Sequence, residues 1–178
     1  MSVAAPQPAP AKARTLAGLV DCAIVAGYVV VLGMVIALVF PLLTGPTPLW
    51  AAALMALLFI EAPVGVWWWR QESSAGTTIG KRLYHLQVAR FGGDEPASGV
   101  RCAVRTVVKL LPWAIAHVLI LVAADPASAD QWWWSVPALC LVATLGIASI
   151  LTGFFRIDQR AAYDIAAGTQ VVVGRRLD

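Results

Sequence analysis

Charged side chains are scarce in this sequence. Only 13% of its 178 residues are charged, whereas 60% are hydrophobic. Soluble globular domains are roughly one quarter charged and about half apolar, so the composition excludes an ordinary water-soluble domain. The basic residues form no isolated basic domain and have no aromatic stacking platform beside them, and we therefore expect no nucleic-acid partner.

Motifs of metal sites and of catalysis are also lacking. The three cysteines, Cys22, Cys102 and Cys140, have no CxxC or CxxH spacing, which argues against a zinc site, a redox pair or a disulfide. No GxSxG, HExxH or Walker pattern occurs, and residues 76–81 do not match a phosphate-binding loop although they contain Thr, Gly and Lys. We therefore expect a protein that is not an enzyme and that holds no metal and no cofactor.

The sequence does contain four long apolar runs. A helix needs about 20 apolar residues to cross roughly 30 Å of hydrocarbon, and the runs at about 16–43, 49–69, 107–124 and 132–155 meet this length. The first run is too long for a secretory signal and no cleavage pattern follows it, so we expect it to be retained. The predicted fold class is an all-α membrane protein with four transmembrane helices in one bundle.

The parts outside these runs are short. Residues 1–13, rich in Ala and Pro, are predicted to be a flexible tail, residues 14–174 the transmembrane domain, and residues 175–178 a basic C-terminal end. Within residues 83–89, Leu83, Leu86 and Val88 are spaced among more polar side chains, ahead of a Gly-Gly-Asp turn. Residues 170–173 contain a β-branched run too short to cross a bilayer. If these two segments pair, they form a small cytoplasmic β element.

Lysine and arginine lie on one side of the predicted membrane. They precede the first run, lie between the second and third runs or at their edges, and follow the fourth run, whereas residues 44–48 and 125–131 have none. Because Lys and Arg near span ends favour the cytoplasm, we predict that both termini are cytoplasmic. The same residues are expected to attract anionic headgroups of membrane lipids.

Three ionisable residues, Asp21, Glu61 and His117, lie within the predicted spans. Such residues are costly in hydrocarbon and usually face the bundle interior, which makes them functional candidates. All three fall in the cytoplasmic half, where two carboxylates and an imidazole can bind a cation or relay protons. Alternatively, Arg14 with Asp21, and Glu61 with His117 or a loop arginine, form ion pairs or hydrogen bonds that only fix helix packing. The sequence leaves both interpretations open.

Three motifs occur in a distinctive order. RTLAGLVD occupies residues 14–21, TIGKRL residues 78–83, and YDIAAGTQVV residues 163–172. Together they resemble the RDD family of bacterial membrane proteins, named for one arginine and two aspartates. In this resemblance Arg14 matches the family arginine, Asp21 its first aspartate and Asp164 its second, while Arg105 matches a further family arginine. Tyr163 departs from the family pattern, which often has His before the second aspartate.

The loop motif of the family is matched by Thr78, Gly80, Lys81 and Arg82. The resemblance implies a multi-pass protein of the bacterial plasma membrane, and cation/proton antiport is the activity proposed for some family members. We therefore expect a small cation/proton transporter or transporter subunit, which with four spans would form a homo-oligomer. The alternative is an accessory or assembly subunit of a larger membrane complex. A third hypothesis, headgroup binding by the basic loop, rests on charge alone.

Overall fold

The computed structural model describes residues 7–43, 48–93, 95–124 and 130–174. In this part of the chain four helices are long and apolar enough to cross a membrane, as the sequence predicts. They are α1 (Ala11–Leu43), α2 (Leu49–Ala75), α4 (Gly99–Ala124) and α5 (Trp132–Phe155). Most of the two connections at 44–48 and 125–131 lies outside the described residues, as do the C-terminal residues 175–178.

Short elements cluster at one end of the four helices. They are α3 (Ile79–Leu83), β1 (Leu86–Arg90), α6 (Ala162–Ala167) and β2 (Thr169–Val173). The start of α1, the end of α2, the start of α4 and the end of α5 meet there. We call this the basic end, because most of the described lysines and arginines lie at it.

Two of the long helices extend beyond the apolar runs. Helix α2 continues past residue 69 to Ala75 and stops where Gly76 adopts φ +64°, the left-handed conformation that terminates many helices. Helix α4 begins at Gly99 rather than at residue 107. The helices extend beyond the apolar runs, and the added turns carry buried charged residues such as Glu72 and Arg105.

A π-helical turn interrupts α2 at Leu57–Glu61, just before Pro63. In a regular α-helix the carbonyl of Phe59 would accept from the N–H of residue 63, which proline lacks. The hydroxyl of Tyr28 on α1 donates to this carbonyl instead, at 2.5 Å. Thus α1 supplies a hydrogen bond where α2 would otherwise leave a carbonyl unpaired inside the membrane.

The strands β1 and β2 pair antiparallel, with Val88 opposite Val171. The chain before α1 lies along β2 as well, because the N–H of Ala9 donates to the carbonyl of Val171 at 3.0 Å. Residues 7–13 therefore differ from the flexible tail that we predicted: Gln7 also bonds β2, and α1 begins at Ala11. Pro8, between these two residues, suits an edge position, because an edge strand uses only some of its N–H groups in hydrogen bonds to the sheet.

A buried apolar cluster lies at the basic end, where Ala9, Ala17 and Leu86 pack together with Val171 of β2. Many side chains on the outer surfaces of the spanning helices are exposed, as expected of helices that face lipid. Helix α1 packs closely on α3, while α4 packs against α5 and α2. Contacts of α1 with the other spanning helices are sparse, and a cavity lies between them.

Candidate functional site

A buried network of charged side chains lies at the basic end. Its first part is Asp164 of α6, which is fully buried and accepts from two arginines. Arg14 Nη2 of α1 donates to Asp164 Oδ2 at 2.9 Å, and Arg105 Nε of α4 donates to Asp164 Oδ1 at 2.7 Å. The arginine and the second aspartate of the sequence motifs thus meet although 150 positions separate them.

Glu72, near the end of α2, continues the network. Its Oε1 accepts a short hydrogen bond from Arg105 Nη1, and Lys81 Nζ lies 2.8 Å from the same oxygen. Lys81 Nζ also lies 4.0 Å from Asp21 Oδ2 of α1. The side chain of Glu72 is only 2% exposed. It connects the loop lysine to the arginine of α4, and the charges along the network alternate in sign.

The loop motif holds Asp21 in place. Thr78 Oγ1 donates to Asp21 Oδ2 at 2.5 Å, and the backbone N–H of Gly80 donates to Asp21 Oδ1 at 2.8 Å. A Cβ atom on Gly80 would lie 2.1 Å from the carbonyl oxygen of Ala17, closer than any real contact. Glycine is therefore required where α3 touches α1, and Asp21 joins the two helices.

Other basic residues of this end bond backbone carbonyls. Arg101 Nη1 donates to Gly168 O at 2.9 Å, and Arg160 Nε donates to Thr169 O at 2.9 Å. The hypothesis of headgroup binding by the basic loop rests on four residues, Lys81, Arg82, Arg90 and Arg101. Lys81 and Arg101 bond groups inside the protein, so that Arg82 and Arg90 are the two of these four that are exposed.

The second polar site is the pair of Glu61 and His117 within the spanning helices. His117 Nδ1 lies 2.5 Å from Glu61 Oε1, joining α4 to α2 next to the π-helical turn. Asp21 does not join this pair as the predicted three-residue cluster requires, because both its oxygens bond the loop motif. The suggested contact of Arg14 with Asp21 is replaced by the bond from Arg14 to Asp164.

A cavity of about 540 Å³ connects the two polar sites. All four spanning helices line it, and most of its wall is apolar. Glu61 and His117 lie on the wall, while Asp21, Lys81 and Lys109 lie toward the basic end. Its volume is in the range of small-molecule sites, about 300–1,000 Å³. The cavity is therefore large enough to admit an ion with water or an extended apolar group.

Tyr163 stands beside Asp164, with the guanidinium of Arg105 5.0 Å from the centre of its ring. Burial, followed by the negative charge of Asp164, raises the pKa of the Tyr163 phenol above its usual range. We expect the absorbance titration of phenolate in wild-type protein, minus that of Tyr163→Phe, to show a group that ionises above pH 10. A difference curve centred at or below pH 10 would contradict this burial.

Two residues of these sites carry no signal in the motifs. Glu72 follows a tryptophan-rich run, and its position in the sequence suggests the start of a polar loop. Buried cations require an acidic partner, but the sequence does not show that Glu72 is that partner. Lys109 follows a motif arginine by four residues, which is the spacing of one helix face. That spacing is the only feature of the sequence that could have placed Lys109 beside the network.

Comparison with known proteins gives one positive result. A family model described as the RDD family matches residues 8–168, which is most of the chain. No curated protein and no solved structure matches the chain. The match includes all three motifs up to Gly168, and with them the buried network, the Glu61–His117 pair and most of the wall of the cavity.

Proposed function

Because the chain belongs to the RDD family, we propose that it is a multi-pass protein of the bacterial plasma membrane with both termini in the cytoplasm. The orientation is supported by the lysines and arginines of the described residues, which gather at the basic end. Tryptophans 67–69 close to this end suit the membrane–water interface. The proposal places the buried network and the small sheet on the cytoplasmic face.

We further propose that the protein exchanges protons for cations through the cavity, without catalysing a covalent reaction. The observation that carries this proposal is the contact of Glu61 with His117 on the wall of an apolar cavity. A carboxylate and an imidazole in contact share a proton, and their apolar surroundings disfavour an unpaired charge. A cation that reaches Glu61 would replace the proton, which couples the two movements.

In this proposal the network at the basic end is structural. Asp21 holds α1 to α3, and Arg14 with Asp164 holds α1 to α6, so these residues support the cytoplasmic end of the cavity. The role of Asp21 as a relay is therefore replaced by a positioning role. Glu61 and His117 keep the role of proton relay, and we expect the protein to act as a homo-oligomer.

The test is proton flux in proteoliposomes, followed with an internal pH dye while sodium, potassium or lithium is added outside. We expect wild-type protein to give cation-driven flux, and Glu61→Gln and His117→Gln to reduce it more than about tenfold. Glu95→Gln is the matched control, because Glu95 is exposed and lies outside the cavity. Absence of flux from folded, correctly inserted wild-type protein would refute the transport proposal.

The alternative function is an accessory or assembly subunit of a larger membrane complex. It is favoured by the small residues of α1, since an added Cβ at Gly27 or Gly33 would meet no described atom within 4 Å. Small residues on a helix allow close approach of a second helix. This alternative expects a partner that co-purifies from native membranes in fixed ratio, and it expects Glu61→Gln and His117→Gln to leave that association unchanged.

A further inference from the structure

We propose that the cavity binds one anionic phospholipid, with its phosphate at Lys109 and an acyl chain between α1 and the other spanning helices. Lys109 lines the cavity, and its Nζ lies 3.5 Å from the centre of the Trp68 ring. Among the described residues no carboxylate lies within 4.0 Å of this ammonium group. Lys109 is thus a cation on a cavity wall whose observed partner is an aromatic ring.

The charge balance of this end favours an anion. Arg14, Lys81 and Arg105 are matched by three carboxylates, those of Asp21, Glu72 and Asp164. Lys109 therefore adds one positive charge to a network that is otherwise neutral. A partly desolvated cation with no counter-ion in contact is unfavourable, and a phosphate group next to Lys109 would reduce that penalty.

The wall beyond Lys109 suits an acyl chain. Val25, Ala26 and Val29 of α1 and, on α5, Ile150 and Phe154 all line the cavity. A free inorganic anion would leave this apolar surface uncovered, whereas an acyl chain would cover part of it. Because α1 has few contacts with the other spanning helices, a chain can reach the cavity from the bilayer.

The depth of Lys109 in the membrane favours a phospholipid over a free fatty acid as the ligand. Trp68 lies directly beside Lys109, within the three consecutive tryptophans 67–69. Indole side chains concentrate at the membrane–water interface, the level at which phospholipid headgroups lie. A phosphate at Lys109 would therefore keep the position that it has in the surrounding leaflet.

Native mass spectrometry after delipidation and exchange with phosphatidylglycerol or phosphatidylcholine of equal chain length tests the proposal. We expect one phosphatidylglycerol per chain to be retained, and Lys109→Met to weaken retention about tenfold. Lys12→Met is the matched control, because it removes the same charge from an exposed position at the same end. Equal retention of the two lipids, or equal retention by Lys109→Met and Lys12→Met, would overturn the proposal.

Ala26→Phe provides an independent variant, since it fills the cavity and leaves every charge in place. With phosphatidylglycerol that carries a photoreactive acyl chain, we expect labelling of α1 and α5 at cavity residues, and loss of that labelling in Ala26→Phe. Labelling spread over outer helix surfaces would refute a defined site. Labelling by photoreactive palmitate, but not by the phospholipid, would show that the ligand is not a phospholipid. These readouts do not depend on transport activity.

Discussion

Replacing Arg105 with methionine is expected to lower the free energy of unfolding by about 3–5 kcal/mol, the usual effect of removing one partner from a buried ion pair. The guanidinium joins Asp164 of α6 to Glu72 of α2, and both carboxylates are at most 2% exposed. Methionine retains the unbranched apolar part of the side chain but lacks the guanidinium group, which leaves two buried anions with fewer partners. The effect should be large because this one arginine bonds both buried carboxylates.

The accessibility of a single thiol measures this effect. Cys102 is fully buried one turn before Arg105, whereas Cys22 and Cys140 are exposed and can be replaced by serine. In that background a thiol-reactive dye reports when the basic end opens on heating. We expect Arg105→Met to lower the midpoint by roughly 10 °C. Arg82→Met, which removes an exposed charge from the same end, is the control, and equal midpoints would contradict a central role for Arg105.

The spanning helices are the part of this fold that the sequence predicts well. Span prediction depends on length and apolar composition, because hydrocarbon excludes unpaired backbone groups and charged side chains. Helix ends are harder, as α4 illustrates: it begins eight residues before the apolar run. Arg101 and Arg105 lie in this added part of the helix. Hydropathy does not reveal it, because the groups that they bond are on α6, on α2 and at Gly168, far away in the sequence.

The partners within the network could be predicted only in part. Motif order brings Arg14, Asp21 and Asp164 to one end, but it does not say which carboxylate Arg14 contacts. That choice depends on the rotation of α1, which Gly80 sets by allowing α3 to touch Ala17. Because the N–H of Gly80 on α3 bonds Asp21, Arg14 bonds Asp164 of α6 instead. Hydropathy carries no information about such rotations.

Asp21, Glu61 and His117 illustrate the same limit. Their depths follow from helix rise, about 1.5 Å per residue, and the contact of Glu61 with His117 is consistent with similar depths for these two residues. Depth does not determine which group turns toward which neighbour. The loop motif supplies a backbone N–H and a hydroxyl to Asp21, so this carboxylate is satisfied without the other two residues.

Gly80→Ala should have an effect of similar size, about 3 kcal/mol, although it adds a single carbon atom. The new Cβ would lie 2.1 Å from the carbonyl oxygen of Ala17 and 2.9 Å from Asp21 Oδ1. The first of these atoms belongs to the backbone of α1 and cannot rotate away, so α3 must move. That movement would weaken the bond from the Gly80 N–H to Asp21 and expose the basic end of the cavity.

Gly18→Ala is the matched control, because it introduces the same atom one residue from Ala17, where no described atom lies within 4 Å. Alanine favours a helix over glycine by up to about 1 kcal/mol, so Gly18→Ala should unfold at the same temperature or slightly higher. Both variants are measured by Cys102 labelling in the Cys22→Ser, Cys140→Ser background. Because backbone entropy would affect both glycines alike, a loss confined to Gly80→Ala would identify steric contact with α1 as the reason for this glycine. Equal midpoints would mean that α3 and α1 are not in direct contact.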